Sequence, residues 1–349
     1  MQLGQGRPPV GIIFDSDLGN RIDSVLALAT LYGLDGKNEC RVISITISKP
    51  SLKAAAFGEV LGRFYSGAVS GAFNAAGRQL PIGLATDGAR TDETPMIKAV
   101  LEAKTAEGKP KYENGIHSIN DTAEPHAVIR NAFTSQYDQN CIVVLAGPAT
   151  NLVRAMDIPG TKSLIERKVR TLVMMGGDFS GSGGPPETNI KADIPSARKL
   201  FAEWPGEVIV CGNEVGAELR YPASSIDKDF AWSQAHPVVD AYRAAEQMPY
   251  NAGTQDVIAV LAAIRPKENY FKVSGPGTVQ VDSEGRTKFV PSANGKHRYL
   301  TVDPAQKDRV IETFVTLASA KPVIRLPRFR PQEKKKADEA VTPPKPPPQ

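Results

Sequence analysis

Residues 12–28 read I-I-F-D-S-D-L-G-N-R-I-D-S-V-L-A-L. The apolar run from Val10 to Phe14 predicts a buried strand, and it ends in two carboxylates one residue apart, Asp15 and Asp17. Gly19 and Asn20 turn the chain, after which Ile22, Val25, Leu26, Leu28 and Ala29 recur at helical spacing. Asp17 therefore falls just past the C-terminal end of a strand, and Asp23 in the first turn of a helix. Open α/β sheets place ligand chemistry at that position. Carboxylates crowded there repel one another, and a hard cation such as Ca²⁺ or Mg²⁺ relieves the repulsion through oxygen ligands. The plainer reading is strand-end solvation followed by a helix cap.

The rest of the chain extends this α/β pattern. Strand-like runs cover Val10–Phe14, Arg41–Ile47, Cys141–Leu145, Val169–Met175 and Glu207–Cys211. Helix-like runs cover Asp23–Tyr32, Leu52–Tyr65, Pro95–Ala103, Glu124–Phe133, Thr150–Met156, Ser196–Glu203 and Gln255–Ala263. Their alternation predicts an open, mostly parallel, Rossmann-like sheet with helices on both faces. Tyr270–Val273, Thr278–Val281, Thr287–Val290 and Tyr299–Val302 read as a small antiparallel C-terminal β element, followed by a last helix over Pro304–Ser319. With no internal repeat and no linker before residue 325, residues 8–325 read as one domain. Residues 331–349 are rich in Pro, Lys and Glu and predict a disordered tail.

Composition narrows the class. Of the 349 residues 41% are apolar and 23% charged, which suits a globular core. The net charge of +4 is concentrated near the C-terminus, in Arg325, Arg328, Arg330 and Lys334 to Lys336, so nothing in the body calls for nucleic acid. No apolar stretch approaches the roughly 20 residues that span a bilayer. Met1 to Pro9 is polar and Gly-rich, without a signal-peptide core, which points to the cytoplasm if no leader has been removed. Cys40, Cys141 and Cys211 read as buried thiols, and the four histidines form no zinc-ligand spacing.

Five segments in order resemble the nucleoside hydrolases, the inosine–uridine preferring N-ribohydrolases. The first is D-S-D-L-G-N-R-I-D-S-V-L-A-L, where the family has D-T-D-x-G and then D-D-A-x-A-L; Asn20-Arg21-Ile22 has the length of the N-D-V insertion found in one branch. The others are A-G-P-A-T-N (Ala146–Asn151), M-G-G with P-E-T-N-I-K-A-D-I-P-S-A (Pro186–Ala197), C-G-N-E-V-G (Cys211–Gly216) and M-P-Y-N-A-G-T-Q-D-V-I-A-V-L (Met248–Leu261). The resemblance implies a hydrolase that cleaves ribonucleosides to base and ribose with a Ca²⁺-bound water. Asp17 would be both the catalytic group and a metal ligand. The Ala146 carbonyl, Asp256 and Ser24 would complete the metal set, and Asp23, Glu187, Asn189 and Asp256 would hold the ribose. The implied partner is a small nucleoside or ribosyl ligand, and the family's dimers and tetramers allow a homo-oligomer.

The motifs also depart from the family. Ser24 stands where the second Asp of D-D supplies a calcium ligand, and Arg21 replaces the first Asp of N-D-V-D-D. Calcium affinity depends on ligand charge, so both changes weaken the expected site. Gln255 stands where the branch has Trp, whereas Lys49 has a counterpart there. The alternative is thus a catalytically degraded relative that binds a ribosyl ligand or a partner. A D-x-D after a strand also opens the phosphatases of the haloacid-dehalogenase type, but Met174–Phe179 lacks the acidic pair which that chemistry requires.

Overall fold

The strand predicted at the start of the chain runs two residues past its apolar core. In the computed structural model, which describes residues 8–66, 80–88, 93–181 and 185–323, β1 spans Val10–Ser16. Asp15 therefore lies inside the strand and Asp17 is the first carboxylate to leave it. Asp15 is held laterally by one oxygen: Thr46 Oγ1 donates to Oδ2 at 2.5 Å and Asn151 Nδ2 at 2.8 Å. The segment 331–349 lies outside the described residues.

The chain continues as α1 (Ile22–Gly36), β2 (Cys40–Ile47), α2 (Leu52–Ser66), β3 (Ile82–Leu84), α3 (Pro95–Leu101) and α4 (Pro125–Ser135). Next come β4 (Cys141–Ala146), α5 (Thr150–Asp157), α6 (Thr161–Lys168), β5 (Val169–Met175), α7 (Thr188–Ala192), α8 (Ile194–Glu203) and β6 (Val208–Cys211). Then follow α9 (Asn213–Glu218), α10 (Ala223–Lys228), α11 (Pro237–Ala245), α12 (Gln255–Ile264), β7 (Phe271–Val273), β8 (Gly277–Val281), β9 (Thr287–Pro291), β10 (His297–Val302) and α13 (Lys307–Ala318). Proline opens α3, α4 and α11, where its missing N–H is no loss and its fixed φ suits a helix start.

The sheet order is β3-β2-β1-β4-β5-β6-β10-β8-β9, with β7 added alongside β10. The strands from β3 to β6 are parallel, and β10 continues them by pairing parallel with β6. The antiparallel C-terminal strands are present, and they join the main sheet through β10 rather than standing apart from it.

Two apolar layers sandwich the sheet. Alternate residues of the central strands point to opposite faces, so Ile12, Phe14, Ile142 and Val144 pack with α1, α2 and α12, while Ile13, Val143 and Leu145 pack with α4, α5 and α8. α12 is apolar all round from Val257 to Ala263 and buried throughout, as expected of a helix enclosed by α1 and the sheet. Gly33 lets α13 approach α1: a Cβ there would come to 2.2 Å from the Leu317 carbonyl oxygen. Strand order reverses between β1 and β4, the switch point at which a crevice opens above the strands' C-terminal ends.

Candidate active site

A cleft of about 170 Å³ opens at that switch point, lined by Asp17, Asp23, Glu187, Asn189 and Asp256 together with Asn20, Arg21 and Gln255. It is smaller than the roughly 300–1,000 Å³ of pockets for drug-sized ligands, which suits a group of sugar size. The five acidic and amide side chains arrive from four places in the fold. Asp17 follows β1, Asp23 lies in the first turn of α1, and Asp256 in the first turn of α12. Glu187 and Asn189 sit at the start of α7, beyond β5.

Close backbone approach sets the position of Asp17. Gly147, one residue past β4, lies so near that a Cβ would come to 2.7 Å from the Asp17 nitrogen and 2.6 Å from Ser48 Oγ. Asn20 Nδ2 then donates to Asp17 Oδ2 at 2.6 Å, and Lys49 Nζ donates to Asn20 Oδ1 at 2.5 Å. Lys49, Asn20 and Asp17 thus form a relay across the floor of the cleft. Glu187 has a structural task as well. Its carboxylate caps α7, accepting from the backbone N–H groups of Asn189 (2.9 Å) and Ile190 (3.0 Å), and it also accepts from Gly177 N at 3.3 Å. Asn189 Nδ2 donates to the Met175 carbonyl at 3.3 Å, which anchors it to the end of β5.

The electrostatics are those of crowded buried acids. Burial raises the pKa of Asp17 and Asp23. Asp256 is raised well above the usual carboxylate range by burial and by the neighbouring charges of Asp23 and Asp17. Lys49 is 4% exposed, and burial brings its ammonium down to about 8 against the opposing pull of Asp17. Arg21 Nε lies 3.4 Å from Asp23 Oδ1.

The oxygen set does not form the calcium cage expected from the resemblance. Calcium takes six to eight oxygen ligands. The Ser24 hydroxyl accepts from Gly19 N at 3.0 Å and donates to the Arg21 carbonyl at 2.8 Å, so it braces the turn and does not line the cleft. Ala146 ends β4 opposite Ser16 and does not line the cleft either. One oxygen of Asp17 is taken by Asn20, and Asp23 faces a guanidinium. Among the described residues no three His, Cys, Asp or Glu side chains are grouped to hold a metal ion. The residues present therefore do not fit Ca²⁺, and Ser24 is corrected from metal ligand to turn brace.

Sequence reasoning missed the Lys49–Asn20–Asp17 relay. Asn20 read only as a turn residue and Lys49 only as a family counterpart; a polar pair in two neighbouring strand-end loops was the available signal. It also missed a second cavity of about 500 Å³ that shares the Glu187 wall and is lined by Phe179, Phe289, Tyr299 and Lys288. Phe179 and Tyr299 stack there with ring centroids 4.9 Å apart.

With this geometry in place, comparison with known proteins is decisive. A family model described as inosine-uridine preferring nucleoside hydrolase matches residues 12–313. The chain belongs to that family. Nucleoside hydrolases of known structure share its fold. The purine-preferring ribonucleoside hydrolase from Gardnerella vaginalis is 18% identical with a TM-score of 0.64, over 90% of this chain and 100% of that one. The inosine-uridine preferring nucleoside hydrolase from Bacillus anthracis is 15% identical with a TM-score of 0.63, over 89% and 99%. The type III effector protein XopQ, solved with adenosine diphosphate ribose, is 13% identical with a TM-score of 0.61, over 90% and 95%. No curated protein matches the chain.

Proposed function

We propose that the cleft binds the ribosyl group of a ribonucleoside and that the chain hydrolyses its N-glycosidic bond. The observation that carries this reading is the meeting of Asp17, Asp23 and Asp256 with Glu187 and Asn189 in one sugar-sized cleft. Cleavage of such a bond passes through an oxocarbenium-like state, and carboxylates around the sugar stabilise its positive charge. Asp23, Asp256, Glu187 and Asn189 hold the ribose hydroxyls. Asp17 orients the attacking water and takes its proton; burial raises its pKa toward the range in which a carboxylate is an effective base. The water oxygen bonds to the anomeric carbon, the C–N bond breaks, and the base leaves with the electron pair.

The larger neighbouring cavity extends past Glu187 and offers room for whatever the ribosyl group carries. The test is base release from inosine and uridine, with ADP-ribose as an extended substrate and Asp17→Asn as the control. Turnover by the wild type and its loss in the variant support hydrolysis. The second reading, a ribosyl binder without turnover, draws on the Arg21–Asp23 ion pair and the engaged Ser24 hydroxyl. Under that reading ribose binds and no base is released from any of the three.

A further inference from the structure

We propose that this chain sets Arg21 in place of a divalent metal, with Lys49 as a standing second cation, so that the carboxylate cleft takes a ribosyl group without metal. The inference builds on the ribosyl reading above and concerns how the negative charge of the cleft is balanced.

Three carboxylates converge here, and buried charge must be compensated. One compensation comes from above: Arg21 lines the cleft, its side chain is half exposed, and Nε lies 3.4 Å from Asp23 Oδ1. The other comes from beneath. Lys49 is buried, and its ammonium reaches Asn20 Oδ1 at 2.5 Å while the same amide donates to Asp17 Oδ2 at 2.6 Å. An ammonium held there acts on Asp17 through a rigid amide, leaving the other Asp17 oxygen for the ligand.

The oxygen that an ion would need is missing at the same place. Ser24 supplies a hydroxyl where a carboxylate would be required, and both of its hydrogen bonds go to the backbone of the Gly19–Arg21 turn. An ion that recruited Ser24 would have to break that brace, and one that used Asp23 would have to displace Arg21. Loss of anionic ligands and gain of the Arg21 cation act in the same direction: the cleft is built for a neutral polyol and is closed to a hard cation. Side-chain cations cannot dissociate, so the charge balance is independent of calcium concentration.

The test uses the full-length chain stripped with EDTA, with calorimetric titration of CaCl₂ and, separately, of ribose with EDTA or with Ca²⁺. Expected are no calcium binding and a ribose affinity that agrees within about twofold in the two conditions. The Arg21→Asp/Ser24→Asp double variant restores two carboxylates and is expected to gain calcium binding, with ribose affinity rising about tenfold or more on adding calcium. Arg21→Ala alone leaves the Ser24 brace in place and serves if the double variant does not fold; it is expected to weaken ribose binding while remaining blind to calcium. Stoichiometric calcium binding by the wild type, or ribose binding only with calcium, overturns the proposal. Absence of ribose binding in every condition refutes the ribosyl reading instead, and the calcium titrations then still decide the cation exchange.

Discussion

The backbone N–H of Asp256 points at Asp23 Oδ2 across 3.4 Å and joins the first turns of α12 and α1, which are 233 residues apart in the chain. Both carboxylates thus sit at helix N-termini, where the dipole favours negative charge. That support is partial, because burial raises the proton affinity of both and the Asp23 charge raises that of Asp256 further.

Asp256→Asn follows from this conflict. Removing one charge relieves like-charge repulsion in a buried cluster, so the variant is expected to be more stable by about 1–2 kcal/mol. Under the proposed function the same change removes a ribose contact and is expected to lower base release by about 100-fold or more. Thermal unfolding and nucleoside turnover, measured on one preparation, check the opposite signs.

Gly147→Ala tests how Asp17 is positioned. The added methyl would meet backbone and a short side chain at 2.6–2.7 Å, which calls for displacement. A cost of about 1–3 kcal/mol is expected from overpacking, with weakened ribose binding as the Asp17 strand end shifts. Gly11→Ala is the control, since its closest neighbour is the flexible end of Gln136. Urea midpoints and ribose affinity for both variants give the comparison.

Glu187→Ala strips a cap from α7 and leaves three backbone N–H groups without their acceptor. Expected is a loss of about 1–2 kcal/mol, with Glu187→Gln keeping part of it. Denaturant unfolding of the three proteins at one pH checks the ranking.

His236 gives a pH dependence remote from the cleft. It packs between Phe64, Phe230 and Trp232, and burial pushes its pKa down to about 3 against the opposing charge of Asp240. The unfolded chain titrates near 6.5. Between these values the unfolded state binds the extra proton, so stability falls as pH drops below about 6.5, by up to about 1.4 kcal/mol per unit. Nδ1 accepts from Val238 N at 3.3 Å, a role that asparagine can take over. His236→Asn is expected to flatten the acid limb of stability against pH, measured by urea midpoints from neutral pH to about 4.5.

The parallel strands and long helices were legible because burial on both faces leaves unbroken apolar runs, as in Cys141–Ala146, and because Ile22, Val25, Leu26 and Ala29 of α1 repeat at helical spacing. Asp17, Asp23, Glu187, Asn189 and Asp256, named from motifs, line one cleft, since each lies where an element begins or ends. Ile82–Leu84 escaped notice because three residues carry no period. The Asp17–Asn20–Lys49 relay escaped because its last link spans 29 residues and depends on register between neighbouring strands. The role of Ser24 was misjudged because a motif position shows which residue is present and not where its hydroxyl turns.

β10 is the last strand among the described residues, yet it occupies an interior place beside β6. During synthesis Val208 to Val210 must therefore wait as an open edge until His297 to Tyr299 emerge to cover it. Open edges are templates for wrong pairing between chains. A product that ends before residue 297 is thus not a shorter enzyme but a sheet with a sticky seam, and the cleft shares its fate because β5, which carries its Met175 end, lies directly beside β6.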